Sequence, residues 1–197
     1  METSSHDHRT ELNSHANMVV LGLNSFVFES TGRTCNVQPF SSDLGVAKYI
    51  PIVDGALAYD CPYSGIVYVL VVRNALHVPS MDHNLIPSFM MRASGVIVVD
   101  DVPKIQYENI VVDNHCISFD ASDLLIPLKL NGVFSYFHTR VRTERELNEC
   151  EKVFLTPDAS DWNHCNSYER NERSMIHFES NLSETSRRLN HQVVFLR

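Results

Sequence analysis

The chain has 197 residues, enough for one substantial core, and its 16 Lys and Arg against 24 Asp and Glu give a formal net charge of -8. That excess of acid excludes a general cationic field for gripping a phosphate backbone, so no direct nucleic-acid binding is expected. No apolar run approaches the roughly 18 residues of a membrane span, and the N-terminal METSSHDHRT lacks the cationic start and apolar stretch of a signal peptide, so a cytoplasmic protein without a membrane partner is expected.

The first ten residues are polar and histidine-rich and are expected to be disordered. From Met18 the character changes: MVVLG is a β-branched run, SFVFES continues it, and Thr31-Gly32-Arg33 is a turn signal before Cys35 and Val37 resume the alternation. This predicts strand, turn, strand. YIPIVDGALAY predicts a second strand pair or a bent strand, with Asp54-Gly55 as a dipeptide suited to a two-residue hairpin. DCPYSG is a further turn cluster, and IVYVLVV (66–72) is apolar on both faces, as a strand between other elements would be. Pro87 is placed to open a short helix over 89–93, Gly95 to cap it with a left-handed residue, and Val96 to Val99 to follow as a strand. Beyond Pro103, NIVVD, CISFD, IPLKL and VFSYF predict strands, with Asn131-Gly132 marking a hairpin turn between the last two. Thr143 with Glu146 three residues on is a capping box that opens a helix through about Cys150. From Thr156 the chain is polar and is expected to be disordered. The five cysteines, Cys35, Cys61, Cys116, Cys150 and Cys165, are widely spaced with no C-x-x-C pair and read as free thiols.

Two stretches carry a resemblance. LNSHANMVVLG sets the polar tetrad Asn13-Ser14-His15-Ala16 before an apolar run, and NALHVPSMDHNLIPSFMMRASG sets Leu76-His77-Val78-Pro79 and Asn84-Leu85-Ile86 before a short helix. In this order they resemble the retropepsin-like aspartic protease domain of copia-type LTR retrotransposon polyproteins, in the variant whose catalytic loop reads Asp-Ser-His-Ala where most members read Asp-Ser-Gly-Ala. The later DLLIPLKLNGVFSYFHTRVRTERELNECEKVFLTPDASDW is similar to the segment that follows the protease in some of these polyproteins, so the resemblance covers roughly residues 11–162.

The resemblance implies a mainly β fold: a small closed retropepsin-like barrel with one short helix over 11–102 and a β-rich extension with a short helix over 103–155, between the polar tails at 1–10 and 156–197 that composition gives. It implies a homodimer, in which a partner pairs the otherwise open edge of Val96–Val99, and a polypeptide substrate or the protein's own polyprotein. No cofactor and no metal are implied. Either Asp54-Gly55 or Ser64-Gly65 is expected at the tip of the flap over the cleft.

In such proteases each of two chains lends one aspartate to a dyad about 3 Å across, and the pair shares one proton, so that one carboxyl activates water while the other acts as acid. At the matching position this chain has Asn13. An amide keeps the shape of a carboxyl and still forms hydrogen bonds, but it accepts no proton at any relevant pH, and symmetry only brings it twice. The expectation is a protease-type domain without protease activity. Ser14 is expected to support Asn13 through a hydrogen bond, His15 to point outward and bond the backbone in preference to acting as a substitute base, and Ala16 completes the loop.

Other constellations are weaker. His6-Asp7-His8 with His15 has metal-ligand residue types on an expected tail, and His115-Cys116 and His164-Cys165 repeat an order without a zinc-like spacing. Asp100-Asp101, Asp120 and Asp123 lie near strand ends where acids usually face water. Three functions remain open: an active or residual aspartic endopeptidase, an inactive descendant that keeps only the fold, and a module that holds peptides in the old cleft. Asn13 separates the first from the others.

Overall fold

The computed structural model describes residues 8–39, 43, 45–100, 114–158 and 193–196. The described chain is mainly β. In chain order its elements are β1 (Arg9–Leu12), β2 (Val20–Leu21), β3 (Phe26–Pro39), β4 (Ala47–Asp60), β5 (Val67–His77), β6 (Asn84–Ile86), α1 (Ser88–Ala93), β7 (Val96–Val99), β8 (Cys116–Phe119), β9 (Ser122–Pro127), β10 (Lys129–Asn131), β11 (Phe134–His138), α2 (Glu144–Glu149), β12 (Glu151–Phe154) and β13 (Val193–Leu196). A ten-stranded sheet runs β10-β11-β1-β6-β2-β5-β4-β3-β13, with β12 added alongside β5, and β7-β8-β9 form a second sheet.

The closed barrel expected from the resemblance is corrected by this order. Closure requires the two ends of a sheet to pair with each other. Here the ends are different strands, β10 and β13, and β3 pairs outward with β13 in parallel, Val193 opposite Asn36. β13 lies within the segment expected to be a polar tail.

Two turn signals prove to be irregularities inside long strands. Thr31-Gly32-Arg33 does not end a strand: Ser30 pairs with Val53 and Arg33 with Ile52, so Thr31 and Gly32 bulge out of a continuous β3. Gly32 takes φ +71, which a bulge needs as much as a turn does, and Thr31 Oγ1 donates to Ile52 O at 2.6 Å. Asp54-Gly55 likewise lies within the single bent strand β4, at register shifts against both β3 and β5, and not at a hairpin tip. Asp54 accepts the N–H of Asn74 at 2.8 Å, while a Cβ on Gly55 would lie 2.9 Å from Phe26 O, so the dipeptide serves strand packing. It is therefore not a flap tip. The long β3–β4 hairpin turns between Pro39 and Ala47, a stretch mostly outside the described residues.

Other expectations match. β5 lies between β4 and β2, is flanked also by β12, and is buried on both faces. Ser88–Ala93 is helical with Pro87 at its start and Gly95, at φ +83, just beyond its end. Lys129–Asn131 and Phe134–His138 form a hairpin with Gly132 at φ +59. Among the described residues Cys35, Cys61, Cys116 and Cys150 form no disulfide, and Cys165 lies outside the described residues.

The strands within residues 114–158 are built into both sheets. β11 pairs antiparallel with β1, β12 pairs parallel with β5, and β8 covers one edge of β7, so that edge is paired from within the chain. Met90 and Met91 of α1 share one core with Leu57 and Leu70 of the central strands and with Ile117, Leu124 and Phe137.

Arg140 fixes the end of this arrangement. It bridges to Ala58, and its guanidinium donates two hydrogen bonds of 2.7 Å to Asp60 and bonds of 2.7 and 3.0 Å to the two oxygens of Glu146. Glu146 also closes the capping box with Thr143. The hydrogen bonds from Arg140, then that from the Thr143 N–H, hold the Glu146 carboxyl down from its ordinary 4.5 to about 2. A lowered carboxyl contributes its full stabilisation above its unfolded value and loses it as pH falls through the folded value. Thr143→Ala is expected to cost about 1 kcal/mol in urea unfolding at neutral pH. In Glu146→Gln the difference from the parent should shrink as pH drops from the ordinary glutamate range towards 2; a difference that grows on acidification would refute the assignment.

Candidate active site

The loop that holds Asn13 is shaped by an interlock of three short strands. β6 runs parallel to β1, with Leu12 opposite Ile86, and antiparallel to β2, with Val20 opposite Leu85. The chain must therefore leave β1 on one side of β6, cross over, and return on the other side. Asn13 N–H donates to Ile86 O at 3.0 Å, and the crossing is made by the tetrad and the residues up to Val19. β2 is locked further by Leu76 N–H to Val19 O at 2.8 Å and Val78 N–H to Leu21 O at 2.9 Å.

Asn84 is the polar centre of the interlock. Fully buried, it accepts the Gly22 N–H at 2.9 Å through Oδ1 and donates to Thr10 Oγ1 at 3.2 Å through Nδ2, and Thr10 in turn bonds Thr139 at 2.8 Å. One side chain thus ties β6 to both of its neighbours. Gly22 has no room for a side chain: a Cβ there would meet the backbone carbonyls of His83 and Met81.

Within the loop, the Asn13 side chain folds back over the chain. Its Oδ1 accepts the backbone N–H of His15 at 2.9 Å and of Ala16 at 3.2 Å. N–H donors require an oxygen acceptor, which fixes the orientation of the amide. Asn13 is partly buried, Ser14 and His15 are exposed, and Ala16 is buried. The supports of Asn13 are thus two main-chain groups; among the described residues the Ser14 hydroxyl makes no bond to it. His15 enters through its backbone while its ring stays in the open.

Leu12, Asn13, Ser14 and His15 form one wall of a cleft of about 750 Å³, while Ala16 is turned into the core. A second wall is α1 and the residue after β7, supplying Ser88, Phe89, Arg92 and Asp100; a third is the tip of the β10–β11 hairpin, supplying Val133, Phe134 and Ser135. Phe89, Val133 and Phe134 are large apolar side chains left exposed there. Asp100 is the one carboxylate among these lining residues, and both of its oxygens are engaged: Ser88 Oγ donates to one and Arg92 Nη2 to the other at 2.5 Å. Arg92 also donates to Val98 O at 3.0 Å, so the cluster clamps α1 to β7.

The cleft can accept and donate hydrogen bonds beside apolar walls, but among the described residues that line it there is no pair of carboxyls able to share a proton. Among the described residues no three His, Cys, Asp or Glu side chains converge as metal ligands. His6, Asp7, Asp101, His164 and Cys165 lie outside the described residues. His115 is a buried core histidine, with Nδ1 against Leu128 O at 3.2 Å and Nε2 against Ser135 Oγ at 2.9 Å, and Cys116 is buried in β8. A carbonyl can only accept, so Nδ1 carries a proton, and in the neutral imidazole Nε2 then accepts from the Ser135 hydroxyl. Asp120 and Asp123 are exposed. No helix among the described residues is long and apolar enough to cross a membrane.

Reading the sequence missed Arg92, Phe89 and the hairpin tip as cleft residues, and set Asp100 aside with the other acids. Nothing local marks them. Only the pairing of β11 with β1 brings residues 133–135 beside residue 13.

Comparison with family models, with curated proteins and with solved structures finds no match.

Replacing Asn84 with Ala strands the Gly22 N–H without its acceptor, which is expected to cost about 1–3 kcal/mol in chemical unfolding. Gly22→Ala should destabilise by a similar ~1–3 kcal/mol through overpacking against backbone. Amide exchange at Gly22 should accelerate in Asn84→Ala; unchanged protection there would show that another group holds the interlock.

Proposed function

We propose that this chain is a retropepsin-like aspartic endopeptidase domain of retrotransposon origin, of the kind that processes its own polyprotein, made catalytically silent by Asn13. The observation that carries the reading is the position of the tetrad. Asn13 sits at the mouth of a cleft, on a tight loop between two strands interlocked with a third, and its side chain is held by the N–H groups two and three residues on. The short helix α1, which lines the same cleft as the loop, and the long β3–β4 hairpin accompany it, in keeping with that reading.

The missing function follows from charge. In the family's chemistry the outer oxygen of one aspartate removes a proton from water while its partner stays protonated. The Asn13 amide carries neither ionisable state, and a symmetric homodimer would contribute the same neutral group from each chain. Losing a general base costs on the order of 10²–10⁴-fold, and losing both members of a unit that acts together removes more. Asp100 does not replace it, because Arg92 and Ser88 already occupy its oxygens.

A second reading, a non-catalytic module that holds extended peptides, is favoured by the apolar cleft walls of Phe89, Val133 and Phe134. In either case the partner is a polypeptide, and a homodimer would complete the cleft.

Incubation of the parent and of Asn13→Asp with a peptide panel at acidic pH distinguishes these readings. The parent is expected to leave the panel intact, and Asn13→Asp to cleave it with a rate that rises and then falls with pH as a shared proton requires. Cleavage by the parent overturns the proposal. Saturable binding by the parent with a silent Asn13→Asp favours the peptide-holding module.

A further inference from the structure

The amide that removes the chemistry is followed by Ser14, a small, exposed residue whose backbone nitrogen is the next one along the chain. That sequence is open to intramolecular attack on the side-chain amide. The geometry of the loop favours it: with Oδ1 at 2.9 and 3.2 Å from the N–H groups of His15 and Ala16, the side chain is folded along the main chain across Ser14. The same two donors polarise the Cγ carbonyl and would stabilise the negative oxygen that forms as Cγ becomes tetrahedral.

We propose that Asn13 is a latent carboxyl, and that its deamidation is a modification built into this loop. The Ser14 backbone nitrogen gives up its proton to solvent and bonds to Asn13 Cγ; the Cγ–Nδ2 bond breaks and the side-chain nitrogen leaves as ammonia. Water then opens the cyclic imide at either carbonyl, giving aspartate or isoaspartate. The net change is amide plus water to acid plus ammonia, with no redox partner. The inference rests on the proposed function only for its consequence, since a carboxyl at this place is what the protease chemistry lacks.

The chain carries its own controls. Asn24-Ser25 has the same dipeptide, but Asn24 is buried and its Nδ2 donates to Asp82 O at 2.6 Å. Asn131-Gly132 is exposed at a hairpin turn, with the least hindered neighbour. The full chain is aged at mildly alkaline pH in ¹⁸O-labelled water and mapped by mass spectrometry, so that one labelled oxygen marks each conversion. Asn13 is expected to convert on the order of tenfold faster than Asn24, a difference of about 1.4 kcal/mol in barrier. Ser14→Val, which crowds the attacking nitrogen, should remove that lead while Asn131 continues to convert. Equal rates at Asn13 and Asn24, or an inert Asn13 beside a converting Asn131, overturn the inference. Conversion at Asn13 with Asn13→Asp still silent overturns the protease reading and leaves the latent carboxyl standing; no conversion beside an active Asn13→Asp does the reverse.

Discussion

The arrangement depends on one buried amide. Asn84 is asked to satisfy a backbone N–H on one neighbouring strand and a hydroxyl on the other, and no hydrophobic residue of its size could do both. The reason is topological. When a chain crosses over a strand and returns on its far side, the crossing residues leave the regular ladder, and their main-chain groups need side-chain partners. The close approach that makes this possible also requires Gly22, because backbone carbonyls fill the place of its side chain. The Asn13 loop is thus held from beneath by groups that touch no ligand, and its geometry is set before any cleft exists.

A second constraint is the edge of β1. Four residues make a weak strand on their own, and this one carries the tetrad at its end. It is stabilised on both sides by distant segments, by β6 from 74 residues on, Asn84 opposite Thr10, and by β11 from more than a hundred residues away. The pairing brings the β10–β11 hairpin tip to the cleft, so the same contacts that secure the loop also form its third wall. The β10–β11 hairpin is therefore not an appendage to the site. Arg140 reinforces the point, since its double fork ties the end of β4 to the cap of α2 and holds β11 at a fixed height along the sheet.

Much of this was legible in the sequence, and the exceptions have physical causes. Local signals read correctly wherever the chemistry was local: Pro87 and Gly95 around α1, the Thr143–Glu146 box before α2, and the doubly apolar β5 all follow from neighbours within a few residues. Gly32 and Gly55 misled because a positive φ or a missing Cβ serves a bulge or a tight packing contact as well as a turn, and composition does not say which. The barrel did not close for a reason no window contains, namely which distant strand claims the outer edge of β3. At the site, the tetrad was visible as a tetrad, while Arg92, Phe89 and Phe134 became cleft residues only through long-range pairing.

Position 13 separates two roles that a carboxylate would combine. The structural role needs an oxygen that accepts two main-chain N–H groups, and an amide oxygen does that as directly as a carboxylate oxygen, at 2.9 and 3.2 Å. The chemical role needs a second atom able to exchange a proton, and here that atom is an amide nitrogen, which only donates. An amide at this position thus keeps the bonds that shape the loop while offering no group that exchanges a proton. In the homodimer proposed above it would also remove an electrostatic cost, because two ionisable groups brought close across a symmetry axis repel unless they share a proton, whereas two amides carry no charge to repel. An amide can therefore hold this loop as a carboxylate would, and under the proposed protease reading the same shape would still fit a carboxyl.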